Sequence, residues 1–78
     1  MVHIDSEKIK EYFGKRLKEL RLRKKYTQAK LAELSGVSED LIGMIERGVT
    51  APSFKTLSSL SKSLGVSVME LFNFNELE

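Results

Sequence analysis

The chain has 78 residues, 41% of them apolar and 31% charged, with a formal charge of +2, which allows one domain and one core. So short a chain is thinly stable unless a disulfide, a metal or a partner subunit assists it. Cysteine is absent and His3 is the sole histidine, so disulfides and thiolate metal sites are excluded, His3 reads as a solvated terminal residue, and a partner subunit is the aid left open.

The first apolar series, Ile9, Phe13, Leu17 and Leu20, recurs at helical spacing and marks one inward face. Ser6 is the expected N-cap, and the helix is expected to run to about Lys24. Gly14 lies inside it at a cost of about 1 kcal/mol relative to alanine. Thr27 reads as the cap of a second helix that turns Leu31, Ala32 and Leu34 inward and ends at Gly36, a left-handed stop. Ser38 caps a third short helix through about Arg47, with Ile42 and Ile45 buried and Gly48 as its stop. Pro52 and Ser53 open a fourth, with Ser53 as cap, an inward stripe of Phe54, Leu57, Leu60 and Leu64, and Gly65 at its end. Ser67-Val68-Met69-Glu70 has the S-x-x-E form of a capping box and starts a short fifth helix that fades around Phe72 to Phe74. Five helices, short turns and no alternating strand pattern predict an all-α fold and a single compact domain over residues 1–78.

No apolar run approaches the length of a membrane span, and Met1 to Asp5 does not have the form of a signal peptide, so a cytoplasmic location is expected. Charge is unevenly spread. Residues 1–26 hold nine Lys/Arg against four Asp/Glu, residues 27–50 two against four, and residues 51–78 two against three. A basic first third attracts phosphate, but charge runs on helices also serve simply as solvated faces.

Helices two and three are joined only by Ser35-Gly36-Val37, a connection tight enough to force a steep crossing. That is a helix-turn-helix, with its core at about 27–48. In this arrangement the second helix of the pair is exposed enough to enter a major groove while the first lies across the DNA backbone. Around it runs an ordered series: Gly14-Lys15-Arg16-Leu17-Lys18-Glu19-Leu20-Arg21, then Tyr26-Thr27-Gln28 with Leu31-Ala32, Ser35-Gly36-Val37-Ser38, Ile42 with Ile45-Glu46-Arg47-Gly48, Pro52-Ser53 with Thr56-Leu57, and Leu64-Gly65-Val66-Ser67 with Glu70-Leu71-Phe72. The series resembles the phage repressor and Cro-type (XRE-like) helix-turn-helix family of bacterial and phage transcriptional regulators, over about residues 12–72. Its size is also similar to that of restriction-modification controller proteins, a subset of that family.

The resemblance implies a five-helix, lambda-repressor-like DNA-binding domain that regulates transcription by occupying operator double-stranded DNA, without a cofactor, a small-molecule ligand or a membrane. Position by position, it implies base-facing roles for Ser38, Glu39, Asp40, Gly43 and Met44, and phosphate contacts from Thr27, Gln28, Lys30, Arg47, Thr50 and Lys55. It implies a structural ion pair between Arg21 and Glu46. Plain capping by Thr27 and plain solvation of the lysines remain open beside these roles. The departure from the common pattern is Glu39-Asp40. Carboxylates oppose the attraction to phosphate, yet they can accept from cytosine N4 or simply favour the positive end of the third helix. Val49-Thr50-Ala51 is also less basic than is usual there.

The last helix and tail, residues 67–74, carry more apolar side chains than one small core requires. The family commonly forms two-fold dimers through this region, which implies a homodimer with contacts at Met69, Phe72 and Phe74, Phe74 being the best candidate for the exposed side. An alternative function is a protein-interaction module, antitoxin- or adaptor-like, that keeps the fold with weak or no DNA affinity; Glu39-Asp40 is the feature that favours it. Nothing in the sequence suggests an enzyme.

Overall fold

Capping and left-handed stops set the boundaries of the helices. The computed structural model describes residues 5–75, so the expectations for His3 and for the first four residues lie outside the described residues. The elements are α1 (Ser6–Arg23), α2 (Gln28–Ser35), α3 (Glu39–Glu46), α4 (Phe54–Leu64) and α5 (Val68–Leu71), with no strand among the described residues. Thr27, Ser38, Ser53 and Ser67 each accept a hydrogen bond from the backbone N–H three residues on, at 3.0–3.1 Å. At α1 the cap is Asp5, not Ser6: its Oδ1 accepts from the Lys8 N–H at 2.8 Å. A carboxylate there also meets the positive end of the helix. Gly36 ends α2 at φ 68°, a conformation that costs a Cβ-bearing residue roughly 1–2 kcal/mol. Of the described helices, none is long and apolar enough to cross a membrane.

The core draws on all five helices. Phe13, Leu17 and Leu20 of α1, Leu31 and Ala32 of α2, Ile42 and Ile45 of α3, Leu57, Leu60 and Leu64 of α4, and Leu71 of α5 are buried together, with Tyr26, Val37, Leu41, Val66 and Phe74 packed against them. Three residues depart from the expected inward faces. Leu34 is 46% exposed; the buried slot in its turn belongs to Ser35, whose Oγ lies 2.9 Å from Ser63 Oγ on α4. A serine pair there lets two backbones approach where a leucine would hold them apart. Phe54 is 88% exposed, because it is the first residue of α4 and overhangs the end of the core. Ile9, a turn from the start of α1, is only partly covered.

The fifth helix is held by a charge. Arg16 is 1% exposed. Its Nε donates to the Glu70 carbonyl at 3.0 Å, its Nη2 to Glu70 Oε2 at 2.9 Å and its Nη1 to Glu19 Oε1 at 2.6 Å. The Glu70 side chain is thereby turned to α1 rather than back to the Ser67 cap, so only the Ser67 half of the expected capping box forms.

Candidate nucleic-acid interface

α3 is positioned by its inner side. Its C-terminal end meets α1 at Gly14, where an added Cβ would fall on the Ile45 carbonyl oxygen and 2.6 Å from that of Glu46. Gly48, at φ 74°, brings the chain just past α3 near α1 as well, with an added Cβ 3.1 Å from Glu11 Cα. Gly14 thus permits a backbone contact that a Cβ would block, and Gly48 holds a left-handed conformation suited to glycine beside it.

Beside this contact, Arg21 of α1 and Glu46 of α3 form a two-pronged ion pair, Nε to Oε2 at 2.6 Å and Nη2 to Oε1 at 3.0 Å. Their side chains are 8% and 4% exposed. The remaining hydrogen-bonding capacity is also used. Arg21 Nη1 donates to the Tyr26 carbonyl at 2.8 Å, and Gln28 Nε2 donates to Glu46 Oε1 at 3.0 Å. One carboxylate therefore joins α1, α2 and α3, and buried charges persist only with this degree of pairing.

The outer side of α3 is open. Gln28, Glu39, Asp40, Gly43, Met44 and Arg47 line a surface concavity of about 380 Å³. Glu39 and Asp40 are exposed and have no cation within salt-bridge distance among the described residues; Arg47 is exposed and likewise without a carboxylate. Gly43, to which the resemblance gives a base-facing role, lines this concavity without being exposed. It is buried beneath two side chains, and an added Cβ would lie 3.1 Å from Arg47 Nη1 and 3.8 Å from Gln28 Oε1.

The other sequence-derived candidates distribute as follows. Ser38 and Thr27 are exposed and their hydroxyls serve as caps. Of the first-turn N–H groups of α2, that of Lys30 is taken by the Thr27 cap, while those of Gln28 and Ala29 have no acceptor within the helix and are left as donors beside Thr27. Lys30 is exposed and pairs with Glu33 at 3.2 Å. Lys55 is exposed and does not line the concavity. Thr50 does not line it either; it sits in a second, apolar concavity with Ile9 and Phe72. In the tail, Met69 is 83% exposed and Phe72 40%, the Phe72 ring tilted against Phe13 at 5.1 Å between centroids. Phe74 is not the exposed residue of the tail: it is half-buried, with its ring 5.6 Å from Tyr12 and 6.1 Å from Phe72. Arg16 is the residue the sequence hid. It has the look of one more cation on a solvated face, and its main partner lies 54 positions away.

A capped helix pair with a left-handed glycine between them, the second helix pinned on its inner side and polar on its outer one, is a helix-turn-helix domain. The chain belongs to the helix-turn-helix family, whose model matches residues 17–71. It is 40% identical over 60 residues to the HTH-type transcriptional regulator PuuR of Escherichia coli (strain K12), covering 77% of this chain and 32% of that protein. It is 44% identical over 55 residues to the SPbeta prophage-derived uncharacterized HTH-type transcriptional regulator YonR of Bacillus subtilis (strain 168), covering 70% and 51% respectively. The chain thus spans about a third of the first and half of the second. Among solved structures, the restriction-modification controller protein C.AhdI from Aeromonas hydrophila superposes with a TM-score of 0.79 at 38% identity, over 81% of this chain and 96% of that one.

Proposed function

We propose that the chain is a sequence-specific DNA-binding transcriptional regulator that sets α3 in the major groove of operator DNA. The observation that carries this reading is the division of α3 into an inner side fixed to α1 and an outer side whose polar residues are not consumed by the fold. The backbone N–H groups at the start of α2, with Gln28 and Arg47, hold phosphates on either side of the groove; Thr27, Lys30, Thr50 and Lys55 are the secondary phosphate candidates. Ser38, Glu39, Asp40 and Met44 face the base edges, the carboxylates accepting from cytosine N4 and Met44 meeting a thymine methyl. Gly43 supports Gln28 and Arg47 from beneath. The regulator acts as a two-fold dimer, which spaces two copies of α3 by about 34 Å, one DNA turn, on a palindromic site. It works in the cytoplasm and carries no catalysis, cofactor or small-molecule ligand.

Selection of bound sequences from a random duplex pool tests this reading. A symmetric pair of enriched half-sites is expected, with affinity that falls steeply as salt rises. Failure to enrich any sequence, together with no retention of duplex at low salt, refutes it. One observation favours a second reading. Glu39 and Asp40 stand unpaired on the outer face, which suits a protein-interaction module better than a phosphate-lined groove. That module predicts no duplex binding at any salt concentration.

A further inference from the structure

Arg47 is the C-cap of α3, and its side chain runs back along the helix, as long side chains on helices do. Its guanidinium therefore lies over Gly43, one turn earlier. Nη1 is 3.1 Å from the point where a Cβ of residue 43 would stand, closer than ordinary van der Waals contact. An alanine methyl there pushes the guanidinium away by a few tenths of an ångström, and a larger side chain displaces it outright. The Gln28 amide approaches the same point, with Oε1 3.8 Å from it. That amide is fixed, because its Nε2 donates to Glu46 Oε1 at 3.0 Å.

The cation is thus brought from the end of α3 to the middle of its outer side, into the concavity that Glu39, Asp40 and Met44 also line. It pairs with neither carboxylate, and the fold uses none of its donors.

We propose that Arg47 reads a guanine in each half-site and that Gly43 is the residue that gives it access to the base. This assignment rests on the reading of α3 as the helix in the major groove. Guanine presents O6 and N7 side by side in that groove, and two N–H donors of one guanidinium match them. A guanidinium has five donors, so a contact to the base leaves others for the phosphate contact of Arg47. Glu39 and Asp40 gain a role from the same geometry. Their charge attracts the guanidinium toward the helix face, against the pull of the phosphates on either side. Gly43 is then a specificity-determining residue that touches no base. Its side chain is absent so that another can lie across it.

The test uses the full chain beside Arg47→Lys, Gly43→Ala and Gly43→Leu. Lysine keeps the charge of Arg47 but not its fork, and leucine fills the place where the guanidinium lies. None of the three removes a contact on which the fold depends, and the glycine substitutions favour the helix, so all should melt no lower than wild type. Sites are selected from a random duplex pool. Each guanine of the enriched half-site is then replaced in turn by 7-deazaguanine, which lacks the N7 acceptor. Wild type is expected to lose about 5-fold in affinity at one guanine. At that position Arg47→Lys and Gly43→Leu should lose less than about twofold, with Gly43→Ala between. The salt dependence of Arg47→Lys should match that of wild type, because its charge is kept. A wild type indifferent to every such replacement overturns the proposal, as does a sensitivity that survives Arg47→Lys or Gly43→Leu. In both cases the chain still selects its site, so the regulator reading stands. A chain that binds no duplex at any salt concentration refutes that reading and this assignment together.

Discussion

Replacing Gly14 with alanine sets two known effects against each other, and the structure decides which prevails. Gly14 is in the middle of the 18-residue α1, where alanine is favoured by about 1 kcal/mol on helix propensity. The added methyl would strike the Ile45 carbonyl oxygen and lie 2.6 Å from the Glu46 oxygen and 2.9 Å from its carbonyl carbon. All three are backbone atoms, so no rotamer change relieves the overlap; the end of α3 must retreat from α1. That retreat stretches the Arg21–Glu46 contacts, now 2.6 and 3.0 Å. Overpacking costs about 1–3 kcal/mol where side chains can yield, and the upper end or beyond applies where they cannot. The expected net effect is a loss of about 2 kcal/mol, or a fall in Tm of about 8–16 °C.

Gly43 supplies the control. It has the same propensity deficit, but the nearest atom to an added Cβ is the end of the Arg47 side chain, which swings aside at little cost. Gly43→Ala is therefore expected to raise stability by about 0.5–1 kcal/mol. Thermal and urea denaturation of the two variants, followed by helical ellipticity, gives both signs. A Gly14→Ala chain that melts at or above wild type would refute the claim that backbone approach at this residue positions α3.

Arg21→Met leaves Glu46 as a buried carboxylate without its cation and is expected to cost about 3–5 kcal/mol, while Arg21→Met with Glu46→Met recovers at least half of that loss in the same denaturation assay. Lys25, held at φ 61° between α1 and α2, is a lysine in a conformation suited to glycine, so Lys25→Gly should stabilise by about 0.5–1 kcal/mol; a lower Tm counts against that strain. Glu39→Gln with Asp40→Asn removes two charges from the groove-facing side. Binding to arbitrary duplex, followed by fluorescence anisotropy, should strengthen about 10-fold, and a concurrent loss of preference at a cytosine would mark these residues as base readers.

What the sequence showed of this fold was what local chemistry dictates. Thr27, Ser38, Ser53 and Ser67 are caps because a short side-chain oxygen reaches the N–H three residues ahead, and Gly36 and Gly65 are stops because of their positive φ. The misplaced residues are those whose environment is made by distant chain. Periodicity located the side of α4 that carries Phe54 but not the fact that the core ends before reaching it. Leu34 lost its place to Ser35 because of a serine 28 positions away. Gly14 and Arg16 are explained only by Ile45, Glu46 and Glu70, which no local pattern announces. The candidate site was legible mainly through resemblance to a family. The concavity it forms, and the covering of Gly43 by Gln28 and Arg47, are products of tertiary packing.

Gln28 is where scaffold and reading surface meet, and that makes it the most informative single residue of the site. Substitutions of Met44 and Arg47, which line the same concavity, should change stability by no more than about 0.5 kcal/mol, because those side chains hold nothing in place. Gln28 differs, since its amide donates to the buried Glu46 carboxylate at 3.0 Å, a hydrogen bond to a charged group worth about 1.5–3 kcal/mol. Gln28→Ala should therefore lower Tm whether or not the residue touches DNA, and a melt alone does not distinguish the two roles. Affinity measured well below Tm does. A scaffold role alone leaves binding to a selected site within about twofold of wild type, whereas a phosphate contact costs about 10-fold, near 1.4 kcal/mol. The salt dependence separates it further from Arg47. Glutamine is neutral, so Gln28→Ala leaves the slope of affinity against salt unchanged, while Arg47→Ala reduces that slope by about one counterion. A Gln28→Ala chain that loses stability and keeps full affinity would move the phosphate grip off this side chain and onto the backbone N–H groups that start α2.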